Sequence, residues 1–408
     1  MRIVPVIYGL FEGRIATSFG RRLSSPIETI GEWRTWMRAH RRHRLGDSSL
    51  KNRFCPKPFN HFELTENGSV YLCCPTWLRW RAGNLHEQSA EAIWNSTAAQ
   101  EVRRGILDGS FRHCHHGLCP EIQGGTLPTR DQASRDPRLR EIISENKTRI
   151  EGIPGFINFS NDKSCNLSCP SCRTQRIQFN SGPGYEVRKS LQNKLTDEFL
   201  TRPTDQPFTL SVTGSGDPFG SRVFRDFLFA LDGSRFPKMR VNLQTNGTLL
   251  TPKTWNKLHK IHGRIGAVLV SFDAATAPTY TITRRGGNWE QLMENMELLA
   301  KLRRNHDIGM LALYFVVQYA NFREMPAMVN LGKRYGADHV DFSKATWWGT
   351  WTVTEMRHQR VWEPDHPNHA EFACMMRDSL FDDPIVSLGN LAQDRAKIVA
   401  RIAPHAHG

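Results

Sequence analysis

From about residue 150 onward the chain alternates between two hydrophobic rhythms. Short runs such as Phe208-Thr-Leu-Ser-Val212 and Val241-Asn-Leu-Gln-Thr245 alternate apolar and polar residues, as half-buried strands do. Between such runs, apolar residues recur three and four apart, as at Leu292, Met296, Leu299 and Leu302, which marks one face of a helix. Strand-like runs centre near Ile157, Leu210, Leu243, Leu269, Phe315 and Val340. Repeated strand–helix units predict an α/β fold with a parallel sheet, and six units fall short of a closed eightfold barrel.

Upstream the pattern changes. Phe54-Cys55-Pro-Lys-Pro-Phe59 opens a strand–turn–strand pattern, with Glu66-Asn67-Gly68 as the turn signal and Val70-Tyr71-Leu72-Cys73-Cys74 as the return run. A helix is expected from about Ser96 to Leu107. Trp94 just before it reads as a core anchor. Past Thr346 the chain is rich in aromatic and histidine residues (Trp347, Trp348, Trp351, His358, Trp362, His366, His369), which suits a flap over an open sheet edge or a wall of a pocket.

The candidate chemistry lies in Lys163-Ser-Cys165-Asn-Leu-Ser-Cys169-Pro-Ser-Cys172. Three thiols on one loop leave a fourth ligand position open, whereas a structural zinc site closes its tetrahedron with four protein ligands. A four-iron cluster takes one thiolate per iron and can leave one iron free. This spacing resembles that of the radical S-adenosylmethionine (radical SAM) superfamily. The resemblance implies a [4Fe-4S] cluster on Cys165, Cys169 and Cys172, with S-adenosylmethionine at the open iron, cleaved reductively to a 5'-deoxyadenosyl radical. It also implies an open, partial (β/α)6 barrel, with its site where the loops leave the carboxyl ends of the strands.

Other segments resemble the same superfamily in chain order. Ser215-Gly216-Asp217-Pro218, after a strand and a glycine turn, is similar to a Gly-Gly-Glu-Pro segment that holds the cofactor's amino group, with Asp217 one methylene shorter. Asn246 with Gly247 resembles the end of the family's third strand, and Ser271 and Asp273 stand where polar groups meet the cofactor ribose. Thr283-Arg284-Arg285-Gly286-Gly287 resembles a segment whose arginine meets the cofactor carboxylate; Arg284 is the candidate, and the sequence leaves the choice between it and Arg285 open. Ser171 departs from the family, which often has an aromatic residue before the last cysteine.

The upstream cysteines resemble the SPASM/twitch auxiliary-cluster domain, in which a glycine lies five residues before a cysteine, as Gly68 does before Cys73. The resemblance implies a second [4Fe-4S] cluster on Cys55, Cys73, Cys114 and Cys119, with Cys74 as rival to Cys73. A zinc ribbon of the same thiols, with His113, His115 or His116, is the alternative. In most relatives this domain follows the barrel; here it precedes it. The expected organisation is a basic arm over 1–50, a small cysteine-rich α+β cluster domain over 51–135, the barrel over 150–345 and the aromatic flap over 346–408.

The composition adds context. The chain has 408 residues, nine cysteines and a formal charge of +14. Through Arg53 there are eleven Lys and Arg against four Asp and Glu, so half of that excess precedes the first cysteine, where it forms a solvated arm or binds an acidic partner. The basic run lacks the interleaved aromatics of a stacking platform, and there is no clear nucleic-acid module. Cysteines in cluster spacings point to a reducing, cytoplasmic setting, and no run is long enough to cross a bilayer. Cys374 reads as a small buried hydrophobe. The resemblance implies a radical enzyme acting at an unactivated carbon of a peptide or protein, supplied with electrons by a flavodoxin or ferredoxin. A carbohydrate substrate is the alternative within that chemistry, and an electron-transfer or zinc-binding protein is the alternative outside it. No catalytic acid, base or radical relay is assigned.

Overall fold

The computed structural model describes residues 48–201, 203–212 and 215–400. Most of the basic arm, and Thr213 and Gly214 of the glycine turn, lie outside the described residues.

The strands are β1 (His61–Thr65), β2 (Ser69–Tyr71), β3 (Gly83–Asn84), β4 (Phe156–Ser160), β5 (Phe208–Val212), β6 (Met239–Thr245), β7 (Ile265–Ser271), β8 (Leu311–Val317), β9 (His339–Lys344) and β10 (Val386–Ser387). They form one sheet in the order β10-β9-β8-β7-β6-β5-β4-β1-β2-β3. From β4 to β9 every pairing is parallel and follows chain order, which is the arrangement that strand–helix repeats dictate. All six expected strand centres fall within these strands.

The sheet does not stop where the barrel begins. β1 runs parallel to β4 in register from His61↔Phe156 to Thr65↔Ser160, and β2 and β3 follow antiparallel. At the opposite edge β10, from the C-terminal stretch, pairs with β9. The cysteine-rich hairpin and the C-terminal stretch therefore each cover an edge that the six-stranded unit would leave bare.

Alternation along the strands separates two faces. Leu64, Ile157, Leu210, Leu243, Val268, Leu313 and Val340 are buried, and Gly332 of the helix Met325–Tyr335 lies so close to Val340 that a Cβ there would stand 2.3 Å from its side chain. The opposite face carries Glu63, Asn158, Ser211, Asn242, Tyr314 and Asp341, most of them only partly buried. That face is polar, unlike the branched-aliphatic filling of a closed barrel.

Local signals set the helices. Thr251 caps the helix Pro252–Lys257 by accepting from the Thr254 N–H, with proline at the first position. Ser96 caps Thr97–Leu107 in the same way. The helix Trp289–Arg304 buries Leu292, Met296, Leu299 and Leu302. In the C-terminal stretch the Trp347 indole donates to the Trp351 carbonyl at 2.8 Å, and the His358 ring lies 4.0 Å from that of Tyr319, just past β8. Among the described residues, no helix is long and apolar enough to cross a membrane.

Candidate active site at the carboxyl ends of the parallel strands

The chain leaves β4 directly into the three-cysteine loop. Asp162 shapes its start: one carboxylate oxygen accepts from the Ser164 backbone N–H and hydroxyl at 2.9 and 2.8 Å, and the other accepts from the Ser221 hydroxyl at 2.7 Å. The loop's far end is a turn in which Cys172 and Arg173 N–H both donate to the Cys169 carbonyl. Cys165 and Cys169 are buried and Cys172 lies at the exposed rim.

The loop following β5 is pressed against this one. A Cβ on Gly216 would lie 2.6 Å from both the Asp162 and Ser164 carbonyl oxygens, and one on Gly220 would lie 3.2 Å from Cys165 Cα. Only glycine permits so close an approach at Gly216. The Ser215 hydroxyl donates to the Ser160 carbonyl at 3.0 Å.

Each thiol of the loop receives one side-chain N–H donor, and each donor comes from a different segment. Asn246 Nδ2 lies 3.7 Å from Cys165 Sγ, Arg284 Nη1 3.6 Å from Cys169 Sγ, and Arg173 Nη2 3.4 Å from Cys172 Sγ. Burial pushes the Cys165 thiol up to about 12, with the Asp217 charge adding to it and Arg173 opposing. Burial raises Cys169 too, and Arg284 opposes it.

Two carboxylates expected to face the cofactor make hydrogen bonds and an ion pair within the protein. Asp217 is 1 % exposed; Oδ1 accepts from the Phe219 and Gly220 N–H groups, and Oδ2 from the Thr245 hydroxyl and the Asn246 N–H, at 2.7 to 2.9 Å. Its shorter side chain ties the β5 and β6 ends together. Asp273, in the left-handed region at φ 56°, accepts from the Val316 N–H at 2.7 Å and pairs with Arg284 at 2.9 Å. Burial raises its pKa, and Arg284 works against that rise.

The two arginines point in different directions. Arg284 points inward to Asp273, the Phe272 carbonyl and Cys169, whereas Arg285 reaches back to the Ser168 hydroxyl and the Thr174 carbonyl and braces the outside of the loop. Ser271 ends β7, half-buried and in register with Tyr314.

Arg173 is the residue that the sequence reading missed. It is 7 % exposed and donates to the Lys163 carbonyl at 2.6 Å and the Ser215 carbonyl at 2.8 Å, besides Cys172. Its only sequence signal is adjacency to the last cysteine.

A second group of thiols forms under the β1–β2 hairpin. The charges of Cys55, Cys73 and Cys119 all act on Cys114, and burial drives that thiol well above its usual range. Burial pushes Cys55 and Cys73 up to about 12 and also raises Cys119. Cys73 also accepts from the Trp77 indole at 3.3 Å. Cys74 turns away, donating to the Thr76 hydroxyl at 3.4 Å, and after burial the charge of Glu63 is the largest influence on it. The His113 ring lies 4.4 Å from that of Trp80, tilted by 43°, and His116 engages the Phe111 carbonyl. Cys374 is exposed, not buried as the sequence suggested, because its short helix His369–Met375 turns Phe372 and Ala373 inward instead.

Among the described residues, no three His, Cys, Asp or Glu side chains close on a single metal ion. A four-iron cube takes one thiolate at each corner, and thiols that receive N–H donors suit that role.

The sequence profile of the radical SAM superfamily matches residues 163–331, and that of an iron–sulfur cluster-binding domain, SPASM, matches residues 55–120. Residues 163–331 therefore form a radical SAM domain. The two matches stand in the order seen here, with the SPASM domain ahead of the radical SAM domain. These two domains imply S-adenosylmethionine and iron–sulfur clusters.

An AdoMet-dependent heme synthase of Methanosarcina barkeri (strain Fusaro / DSM 804) is 27 % identical over 190 residues, covering 46 % of this chain and 50 % of that protein. The chain thus spans about half the length of that curated relative. Among solved structures, SuiB of Streptococcus suis bound to precursor peptide SuiA aligns over 73 % of this chain and 64 % of its own, with 11 % identity and a TM-score of 0.40. AdoMet-bound anSMEcpe aligns over 47 % and 51 %, with 18 % identity and a TM-score of 0.34.

Proposed function

We propose that this radical SAM chain cleaves S-adenosylmethionine reductively and uses the resulting radical to take hydrogen from an unactivated carbon of a peptide or protein. Cys165, Cys169 and Cys172 would hold the [4Fe-4S] cluster, which when bound supplies the electron and the open iron for the cofactor. The observation that carries this reading is the three-thiol loop itself, seated over the ends of parallel strands with an N–H donor on each sulfur.

The chain's own groups then have separate tasks. Gly216 brings the β5 loop against the cysteine loop, so that Ser215 and Gly216 present backbone to the cofactor's methionyl end. Ser271, at the end of β7, is the polar group left to orient its remainder, while Asp217, Asn246 and Asp273 hold the loops. The polar sheet face with Glu63, Asn158, Tyr314 and Asp341 offers hydrogen-bond partners to a peptide backbone. Cys55, Cys73, Cys114 and Cys119 would hold an auxiliary [4Fe-4S] cluster, with a flavodoxin or ferredoxin as the electron donor.

The test is anaerobic reconstitution with iron and sulfide, followed by dithionite and S-adenosylmethionine. The expected result is 5'-deoxyadenosine, formed by the wild-type chain and not by a Cys165→Ala, Cys169→Ala, Cys172→Ala variant. Preparations that hold only zinc, or that never yield 5'-deoxyadenosine, overturn the reading.

A further inference from the structure

Arg284 and Arg173 both touch thiols of the loop, yet they differ electrically. Arg284 carries its own counter-charge, since Asp273 lies 2.9 Å from it. Arg173 does not. Its partners are the Lys163 and Ser215 carbonyls and the Cys172 sulfur, and among the described residues no carboxylate lies within ion-pair distance of it. A guanidinium that is 7 % exposed and unmatched by an anion is costly, because burial strips its water and nothing repays the lost solvation. The anions that can repay it are thiolates, and these exist at neutral pH only when the cysteines bind metal.

Resting on the cluster reading above, we propose that Arg173 is the dedicated counter-cation of the Cys165, Cys169 and Cys172 cluster and sets its reduction potential. A cluster with three thiolates is anionic and gains a further negative charge on reduction, so a fixed cation beside it favours the reduced state and raises the potential. The same guanidinium grips the Ser215 carbonyl at 2.8 Å, which ties the position of the β5 loop to the charged state of the cluster. Arg284, being neutralised by Asp273, contributes a hydrogen bond and little net charge. Arg173 is thus a positioning and tuning residue.

Redox titration of the reconstituted chain, followed by the electron paramagnetic resonance signal of the reduced cluster, tests this. To keep a single signal, the titration uses a Cys55→Ala, Cys73→Ala background. Arg173→Gln is expected to load iron and sulfide but to titrate at a more negative potential, by a tenfold or larger change in the reduction equilibrium, which for one electron is ~59 mV. Arg173→Lys, which keeps the charge but not the fork, is expected to stay near the wild-type potential while losing affinity for S-adenosylmethionine through the freed Ser215 loop. If Arg173→Gln fails to load while Arg173→Lys loads and titrates as the parent does, the charge role stands. An unchanged potential in loaded Arg173→Gln, or failure of both variants to load, overturns it in favour of a purely structural part. A parent protein that itself never assembles a cluster marks failure of the underlying reading instead.

Discussion

Glu66, at the turn of the β1–β2 hairpin, places Oε1 3.0 Å from the ammonium of Lys163, two residues before Cys165. The hairpin of one cysteine group thus touches the loop of the other. Arg188 stands 3.7 Å from the same carboxylate and 3.4 Å from Asp162, so the contact extends to the residue that shapes the start of the loop. The Lys163 side chain is 37 % exposed, and its pairing contributes about 0.5 kcal/mol after solvent screening. Glu66→Gln is therefore expected to lower the melting temperature by only about 1 °C. A drop that persists unchanged in 1 M salt would show that the contribution is not electrostatic.

The orientation of the Cys73–Cys74 pair gives an expectation for metal content. Cys73→Ala removes a thiol facing Cys55 and Cys114, so reconstituted iron should fall by about half, from two clusters to one. Cys74→Ala should leave the iron content unchanged. Iron and acid-labile sulfide assays distinguish the two, and the reverse pattern would assign Cys74 as the ligand.

Asp217 accepts four hydrogen bonds within the protein. Asp217→Asn turns an amide N–H toward one donor pair, which costs about 2–4 kcal/mol in unsatisfied buried groups. Denaturant unfolding of the metal-free protein reads that loss. If Asp217 instead faces the cofactor, stability will hold and only S-adenosylmethionine affinity will fall.

Gly216→Ala is expected to cost about 1–3 kcal/mol, because the new methyl meets two backbone carbonyls, Asp162 and Ser164, rather than a yielding side chain. The variant should also reconstitute poorly, since relief of the clash moves the cysteine loop. Unfolding curves with wild-type midpoints would show that the two loops are not in contact.

The raised thiols fix the sign of the pH dependence. Cys55, Cys73 and Cys165 are pushed from an ordinary 9.0 up to about 12, so their protonated forms are favoured in the metal-free fold. Below about pH 9 both folded and unfolded chains keep these protons, and the stabilisation is fully present. It is lost as pH rises from about 9 toward 12, where the unfolded chain ionises first. Urea midpoints of metal-free protein should be flat from pH 7 to 8.5 and fall at pH 10. Metal uptake should release protons, with affinity rising with pH.

Much of this organisation is legible in the chain. Period-two runs mark β5 and β6 and continuous apolar runs mark β7 and β8, and cysteine spacing marks the loop because its ligands are local. The pairing of β1 with β4 is not legible, since it joins segments that local pattern does not connect. Nor is the engagement of Asp217 and Asp273, because a carboxylate's partners depend on which loop ends meet in space. Arg173 escaped notice for a similar reason: its meaning lies in the anion it lacks, which only the folded surroundings disclose.

The continuous sheet makes the order of the modules along the chain mechanically unimportant. A hairpin that enters from the N-terminal side and lies alongside β4 becomes a wall of the catalytic unit. Removing it would bare a row of backbone N–H and C=O groups on β4, inviting association with another chain. A shortened chain lacking the hairpin would consequently tend to associate and precipitate, whatever else it had lost.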